Sequence, residues 1–265
     1  MAKDFYKHAK AYDIAFSDRD FISECNFLEW ALQKHSKLKK KNLNKKSFLE
    51  LGCGPAKHSR EFAKRNWRSA ALDLSEEMIN YASQEARKEN LNMELVVADM
   101  TKFKLNKKVV LAATLMESIS HMISNDQMIN HLKAVAKNLV KGGIYVIEAT
   151  HPKFFFPDNE PNTWKSKEGN TKVEVTFGVP SDTYNTVTQI WETTTIMRIQ
   201  EGKEEPNVFE SVSPVRWYLA QEMKALIDLS GAFEKYWIYG SMYNIPGKKI
   251  DTSEESDAMV IVLRK

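Results

Sequence analysis

A glycine-containing turn follows an apolar run in the sequence FLELGCGP, residues 48–55. Glycines such as Gly52 and Gly54 let backbone N–H groups approach a ligand, and a following helix adds a dipole that favours negative charge. A dinucleotide-binding fingerprint needs a third glycine, but Lys57 stands at that position. The turn therefore indicates a ligand site at a strand end and argues against a bound pyrophosphate.

Two carboxylates follow the next two candidate strands. Asp73 comes about 20 positions after Gly52, where an acidic side chain accepts hydrogen bonds from both hydroxyls of a ribose. Asp99 ends the third candidate strand, at the sheet edge where open α/β proteins bind ligands, and could accept from an adenine amino group. A simpler alternative is that Asp73 only caps the helix that begins near Glu76. The three features in this order favour a nucleoside site.

Candidate groups for proton transfer lie near the same edge. His121 follows the fourth candidate strand, and its ordinary pKa of about 6.5 suits a general base near neutral pH. Glu117 could bind a substrate ammonium or hydroxyl, and the Tyr6 hydroxyl could orient the reacting groups. His151, after the fifth strand, is a weaker candidate. Each has a structural alternative. His121 could be a hydrogen-bonded structural histidine, Glu117 a solvent-facing carboxylate, and Tyr6 an aromatic that only packs.

The order of these motifs resembles class I S-adenosylmethionine-dependent methyltransferases over about residues 47–150. Tyr6 and the sequences YD (12–13), LELGCG (49–54), DLS (73–75), ADM (98–100) and SISH (118–121) are similar to the small-molecule branch of that family. Glycine N-methyltransferase and the amino-sugar N-methyltransferases belong to this branch. The resemblance implies S-adenosyl-L-methionine as cofactor, S-adenosyl-L-homocysteine as product, and a small-molecule acceptor methylated at nitrogen or oxygen.

The resemblance also implies a role for individual residues. The catalytic candidates are Tyr6, Glu117 and His121. The residues that it places around the cofactor are Tyr6, Tyr12, Glu50, Gly52, Cys53, Gly54, Asp73, Leu74, Met78, Asp99, Met100 and Leu115. Two departures stand out: Ala56 replaces a glycine of many members, which is a mild steric change. Met116-Glu117 replaces small or amide residues on the segment that faces the substrate, which leaves the acceptor open.

The elements that must position these residues follow from hydrophobic periodicity. Short apolar runs at 47–51, 69–74, 93–98, 109–115 and 143–149 alternate with amphipathic helices, which is typical of a parallel sheet in an α/β fold. We expect a helix over 18–33 in the N-terminal segment. Ser75 and Asn125 are predicted to cap two further helices, and Gly142-Gly143 to end the second of them.

The pattern changes after Pro152 to the alternation of antiparallel strands, over 172–177, 186–199 and 208–212. A helix over 219–230 and a hairpin from 235–239 and 258–263 follow. We therefore predict a Rossmann-like methyltransferase fold: a mostly parallel seven-stranded sheet with an antiparallel C-terminal strand, and an inserted antiparallel β lid. The predicted parts are an N-terminal helical cap (1–46), a cofactor-binding core (47–150), the lid (151–215) and a completing helix and hairpin (216–265).

Aromatic residues of the predicted lid region could cover an acceptor, or could form the core of the insertion. They are Phe154, Phe155, Phe156, Trp164, Trp191, Trp217 and Tyr218. Arg216 could recognise a carboxylate or phosphate, or could form an ordinary ion pair.

Composition narrows the class of protein. The formal net charge is +3 over 265 residues, too small to require nucleic acid or an acidic membrane as partner. The two cysteines, Cys25 and Cys53, exclude a disulfide framework, and the histidines and carboxylates show no convincing metal-ligand spacing. We expect a cytoplasmic monomer or homodimer without a signal peptide or a membrane span.

Three functions remain to be separated. The first is methyl transfer to a small molecule, and the second is a noncatalytic regulator that binds S-adenosylmethionine or S-adenosylhomocysteine. The third is a nicotinamide dehydrogenase, but the sequence lacks the third glycine that such an enzyme requires. Nucleic-acid methylation is disfavoured because the segment after the fourth strand has no Asn-Pro-Pro-Tyr type motif.

Overall fold

The structure is a computed structural model that describes residues 5–39, 45–155 and 161–265. The strands are β1 (Ser47–Leu51), β2 (Arg68–Asp73), β3 (Met93–Val97), β4 (Val109–Thr114), β5 (Leu139–Thr150), β6 (Asn162–Glu168), β7 (Thr171–Phe177), β8 (Thr183–Asn185), β9 (Ile190–Glu201), β10 (Asn207–Val215), β11 (Lys235–Tyr239) and β12 (Ala258–Arg264). The helices are α1 (Ala9–Ala15), α2 (Phe21–His35), α3 (Lys57–Lys64), α4 (Glu76–Lys88), α5 (Asn125–Asn138) and α6 (Ala220–Ser230). Short 3₁₀ turns cover Phe5–Lys7, Ser118–His121 and Pro152–Phe154.

The larger sheet has seven strands in the order β11-β12-β5-β4-β1-β2-β3. Strands β1 to β5 pair in parallel, whereas β12 is antiparallel to both β5 and β11. This confirms the predicted mostly parallel sheet with an antiparallel C-terminal strand. The chain leaves β1 toward β2 on one side, and β4 lies on the other, so the carboxyl ends of β1 and β4 flank the crevice where such sheets bind ligands.

Both faces of this sheet are covered. Helices α2 and α3 pack over side chains such as Phe48 and Leu111, and α5 and α6 pack over Leu49 and Tyr145, all of them fully buried. Each such side chain contributes roughly 1.5–3 kcal/mol by leaving water, so the sheet edge is a rigid support. Among the described residues, no helix combines the length and apolar character that a membrane crossing requires.

Helix ends follow local capping chemistry. The Ser75 hydroxyl accepts a hydrogen bond from the Met78 N–H at 3.2 Å, so the predicted cap of α4 is confirmed. The prediction of Asn125 as the cap of α5 was wrong, because the preceding Ser124 accepts from Gln127 N–H at 3.2 Å. Similarly, α2 begins at Phe21 because the Asp20 carboxylate caps it.

Gly142 and Gly143 do not end α5 as predicted. The helix ends at Asn138, and both glycines lie inside β5. Gly142 has a φ of +79°, and a Cβ there would lie 2.3 Å from the carbonyl oxygen of Lys37. The Lys37 N–H donates to the Gly142 carbonyl at 2.9 Å. The glycine therefore admits the chain that follows α2 rather than stopping a helix.

The second sheet is antiparallel, with the order β10-β9-β7-β6 and β8 paired to β9. It confirms the predicted antiparallel insertion and adds β6 and β8. Helix α1 lies between this lid and the core, because Ile14 and Ala15 pack with Val173 and Val175 of β7 while the helix also contacts α4. The N-terminal segment is thus held over the ligand edge of the larger sheet.

Candidate active site

The turn after β1 can be built only from residues that accept left-handed backbone angles. Gly52 has a φ of +61° and Gly54 a φ of +48°. A Cβ on Gly52 would lie 2.8 Å from Cβ of Ser118, whose hydroxyl donates to the Gly52 carbonyl at 3.2 Å. The close approach fixes the turn against the 3₁₀ turn Ser118–His121. Ala56, at a φ of +57°, adopts the same region without being a glycine.

Asp73 ends β2 with its carboxylate directed at this turn. Its Oδ2 accepts from the Gly54 N–H at 2.8 Å, and its Oδ1 accepts from the Ser75 N–H at 2.9 Å. Burial raises the pKa of this carboxyl, and the nearby Glu50 raises it further against the stabilising backbone N–H groups. Hydroxyl donors from a ligand would therefore find a water-poor, strongly accepting carboxylate, as expected for ribose binding.

The tip of β3 supplies the next predicted residues. Oδ1 of Asp99 accepts from the N–H and the hydroxyl of Thr101, at 2.8 and 2.7 Å. The Met100 carbonyl accepts from Nδ1 of the buried His131 at 3.0 Å. The side chains of Asp99 and Met100 are half-buried, and Met100 packs against the apolar core.

The N-terminal segment closes over the glycine turn. The Tyr12 ring lies 3.5 Å from where a Cβ on Gly54 would stand, and the rings of Tyr6 and Tyr12 are 6.0 Å apart. A narrow cleft runs beneath Tyr12, and the predicted residues on its walls are Tyr12, Glu50, Gly52, Cys53 and Leu115. Its volume is only about 20 Å³. We therefore expect helix α1 to open when a nucleoside-sized ligand enters.

Tyr6 and His121 meet although 115 positions separate them in the sequence. The Tyr6 hydroxyl oxygen lies 2.9 Å from Nε2 of His121. Burial lowers the pKa of His121, so the imidazole is neutral near pH 7, and Nε2 accepts a hydrogen bond from the Tyr6 hydroxyl when the ring proton is on Nδ1. Burial likewise raises the pKa of Tyr6, and the Asp73 charge adds to this, which keeps the phenol protonated.

Glu117 lies on a strained segment directly after β4. Met116 and Glu117 have φ angles of +51° and +58°, which residues other than glycine rarely adopt in succession. The Met116 N–H donates to Oε2 of Glu148 at 2.8 Å and holds this conformation. Burial raises the pKa of Glu117.

A larger cavity of about 260 Å³ lies beside this segment, at the carboxyl end of β5 and the start of β12. Three carboxylates reach its wall, from Glu117, Glu148 and Asp257, and Phe154 and Tyr243 add aromatic rings. Arg19 also lines the cavity and pairs with Glu148. Glu117 and Asp257 are therefore the carboxylates left to meet a compact polar ligand with a positive or amine group.

Comparison with known proteins decides the family. Residues 48–143 match the family described as the methyltransferase domain. These residues include β1, the glycine turn and the tips of β2, β3 and β4. The chain carries a methyltransferase domain. Together with the relatives described next, this match confirms the resemblance to small-molecule methyltransferases and S-adenosylmethionine as cofactor.

Relatives of this methyltransferase come from several bacteria. It is 25% identical over 179 residues to the dTDP-3-amino-3,4,6-trideoxy-alpha-D-glucopyranose N,N-dimethyltransferase of Streptomyces venezuelae, covering 65% of this chain and 70% of the relative. The crystal structure of an S-adenosylmethionine-dependent methyltransferase from Clostridium acetobutylicum has a TM-score of 0.72 at 17% identity, covering 98% of each chain. The sugar N-methyltransferase KedS8 from Streptoalloteichus has a TM-score of 0.72 at 16% identity, covering 96% of this chain and 92% of its own. The two structures share the fold.

The donor and acceptor groups of the crevice fit the cofactor. Gly52 and Gly54 give the turn a bare backbone, with Ser118 and Tyr12 beside the positions where their side chains would lie, and the Asp73 carboxylate suits the ribose hydroxyls. Two predicted adenosine contacts differ in exposure: Met78, in the first turn of α4, is fully buried, and Leu74 is 74% exposed. Cys53 is a buried free thiol. The roles of the individual site residues stay predictions.

A chain of charges lies behind the cleft of this methyltransferase, and only Glu50 in it was predicted from the sequence. His58 bridges two carboxylates, with Nδ1 2.9 Å from Oε1 of Glu50 and Nε2 2.6 Å from Oε2 of Glu24. Arg19 continues the chain, pairing with Glu24 at 2.6 Å and with Glu148 at 2.5 Å. The chain thus runs from the cofactor turn to the wall of the larger cavity.

Two of these residues stand out in the sequence, because each is a charged residue at a position where the pattern is otherwise apolar. Glu24 falls on the stripe of Phe21, Cys25 and Leu28 along α2, and Glu148 interrupts the apolar run of β5. A buried carboxylate must be paired, so each of these two residues predicts a cationic partner. Which partner it finds is set by the tertiary fold.

Other predicted candidates have structural partners. His151 lies within hydrogen-bond distance of the Asp251 carbonyl and the Ser256 hydroxyl at the cavity wall. Arg216 pairs with Glu222, the ordinary alternative for this residue. Trp164 packs with α1 in the lid core, and Phe156 lies outside the described residues. Across the described ranges, no group of three or more histidines, cysteines or carboxylates could hold a metal ion.

Proposed function

We propose that this methyltransferase methylates an amine nitrogen of a small acceptor of the amino-sugar class. The relative from Streptomyces venezuelae acts on an amino sugar, and KedS8 is a sugar N-methyltransferase. The larger cavity supports the same class, because its carboxylates complement an amine and its volume of about 260 Å³ suits the sugar ring of such an acceptor.

The observation that carries the proposal is the neutral Tyr6–His121 pair at the sheet edge. A buried imidazole with a lowered pKa is a weak base. An amine of nearly neutral pKa loses its proton to such a base, whereas an aliphatic hydroxyl requires a much stronger one. The pair therefore favours nitrogen over oxygen as the acceptor atom.

Each residue of the site has a distinct task in this proposal. S-adenosylmethionine, when bound, supplies a methyl group on a positively charged sulfur. Glu117 holds the acceptor in the larger cavity through its amine. The Tyr6 oxygen accepts the proton that leaves the nitrogen, while the Tyr6 proton passes to Nε2 of His121. Alignment of the acceptor contributes most of the rate enhancement, since positioning lowers the activation barrier by on the order of 7–11 kcal/mol in favourable cases.

The test compares an amino sugar with its hydroxyl counterpart. The protein is incubated with methyl-labelled S-adenosylmethionine and either the dTDP-linked 3-amino sugar of the Streptomyces relative or the same sugar with a 3-hydroxyl group. We expect labelled product from the amine, and a loss of roughly 10²–10⁴-fold in kcat for His121→Gln with unchanged S-adenosylhomocysteine binding.

Other results would select another function. Product from the hydroxyl sugar alone would contradict nitrogen as the acceptor atom. Tight binding of S-adenosylhomocysteine without product from any amine in a wider panel would favour the noncatalytic regulator. We also propose the cytoplasm as the compartment, since Cys25 and Cys53 are both buried free thiols.

A further inference from the structure

The segment that joins the lid to α6 binds the residues on both sides of His121. The backbone N–H of Arg216 donates to the carbonyl of Ser120 at 2.9 Å. The Tyr218 hydroxyl donates to the carbonyl of Met122. The residues directly before and after His121 are therefore both tied to residues 215–218, which we name the connector.

The connector is itself fixed within the fold. The Arg216 guanidinium pairs with Glu222 in the first turn of α6, donates to Oε1 of Gln189 in the lid at 3.0 Å, and lies 4.8 Å from the centre of the Tyr218 ring. Arg216 and Tyr218 are 6% and 3% exposed. A buried segment with this many partners has little freedom, so it can serve as a fixed reference for the 3₁₀ turn Ser118–His121.

The other half of the proton-transfer pair is held by the strand that leads into the connector. The His8 ring packs on Phe209 of β10 with ring centres 3.8 Å apart. His8 follows the 3₁₀ turn Phe5–Lys7, which carries Tyr6. One strand and its continuation therefore contact both the segment of Tyr6 and the segment of His121.

We propose that β10 and the connector position the Tyr6–His121 pair, with Tyr218 and Phe209 as positioning residues. The inference rests on the proposed function, in which this pair moves a proton. Tyr218 keeps the turn around His121 from drifting away from the Tyr6 hydroxyl. Phe209 keeps the Tyr6 segment against the lid. The pair forms only when lid, core and N-terminal segment are all in place.

Removing a single hydroxyl tests the connector. In Tyr218→Phe the ring remains, but the Met122 carbonyl loses its donor. We expect the pKa of His121, measured by ¹⁵N NMR without cofactor or acceptor, to rise toward its ordinary value as the imidazole gains access to water. With the dTDP-linked 3-amino sugar, kcat should fall about 10-fold or more, because small displacements of reacting groups are costly. The affinity for S-adenosylhomocysteine should stay within about 2-fold of the parent.

Tyr236→Phe is the matched control. Tyr236 packs against the same apolar cluster from β11, so its variant loses a hydroxyl without touching the connector. We expect neither the His121 pKa nor kcat to change. An unchanged His121 pKa in Tyr218→Phe, or an equal change in both variants, would overturn the inference.

A second variant tests how β10 holds the segment that carries Tyr6. Unlike Tyr218→Phe, it leaves no buried carbonyl without a hydrogen-bond donor. Phe209→Leu removes the ring that packs on His8, and Val208→Ala is its control on the same strand at an exposed position. We expect the Phe209 variant alone to lower kcat and to alter the pH profile of kcat. Normal kcat and pH profile in Phe209→Leu would contradict the positioning role.

The NMR arm separates this inference from the proposed function. If no amine acceptor is methylated, the proposed function fails, but the change in the His121 pKa still measures whether the connector holds the imidazole. If methylation proceeds and Tyr218→Phe behaves like Tyr236→Phe, the proposed function stands and the positioning role is wrong.

Discussion

Two histidines of this methyltransferase, the half-buried His121 and the buried His58, differ in charge near neutral pH. Burial lowers the pKa of His121, which has no carboxylate partner among its described contacts. Burial also disfavours the charged form of His58, but Glu50 and Glu24 outweigh it and raise the pKa of His58 to about 9. The His121 imidazole is therefore neutral near pH 7, and the His58 imidazole is a cation there that pairs with Glu50 behind the cleft.

The charge on His58 predicts a pH dependence of stability. A folded-state pKa of about 9, above the ordinary value of 6.5, means that the contribution is complete below about pH 6.5 and is lost as pH rises through 9. The free energy of unfolding from urea titrations should therefore fall between about pH 7 and 9. In His58→Gln this fall should disappear.

His35 provides a control for this prediction. Burial, followed by the charges of Lys34 and Arg264, lowers the pKa of His35 to about 4, so it is neutral throughout the same range. His35→Gln should change stability without changing its slope against pH. If His58→Gln keeps the slope of the parent protein, the buried cation does not exist.

At the scale of elements, the turn after β1 and the 3₁₀ turn Ser118–His121 act as one unit. They touch at Gly52, where a Cβ would collide with Ser118 at 2.8 Å. Any side chain at position 52 must therefore displace the turn that carries His121. The cofactor turn and the proton-transfer pair are mechanically linked through this contact.

A pair of glycine variants isolates that link. Gly169→Ala has a comparable φ of +57° with nothing within 4 Å, so it should cost only the left-handed strain of about 1–2 kcal/mol. Gly52→Ala adds overpacking, which costs roughly another 1–3 kcal/mol, and should also lower kcat. Denaturant unfolding and steady-state kinetics measure both. Equal effects of the two variants would show that the contact with Ser118 is not tight.

Helix α1 is the element expected to move during cofactor entry. It covers a cleft of only about 20 Å³ and lies between the lid and α4. In hydrogen-exchange measurements, S-adenosylhomocysteine should slow exchange in α1 and leave the core helix α6 nearly unchanged. Equal and ligand-independent protection of α1 and α6 would contradict an opening N-terminal segment.

At the scale of the whole molecule, the parallel sheet and the ligand edge could be predicted from periodicity and turn chemistry. Asp73 and the glycine turn were found because strand, turn and carboxylate are close in sequence. The chain from Glu50 to Glu148 could not be found in this way, because Arg19 joins residues far apart in sequence. The same holds for the Tyr218 hydroxyl, whose acceptor lies 96 positions away.

Calorimetric titration with S-adenosylhomocysteine tests the central claim most directly. The parent protein should bind the ligand, and Asp73→Ala should bind it roughly 10- to 100-fold more weakly, as expected for lost hydrogen bonds to a charged group. Asp126→Ala, on the exposed first turn of α5, should bind like the parent. Equal affinity in Asp73→Ala, or binding of NAD in place of S-adenosylhomocysteine, would contradict the account.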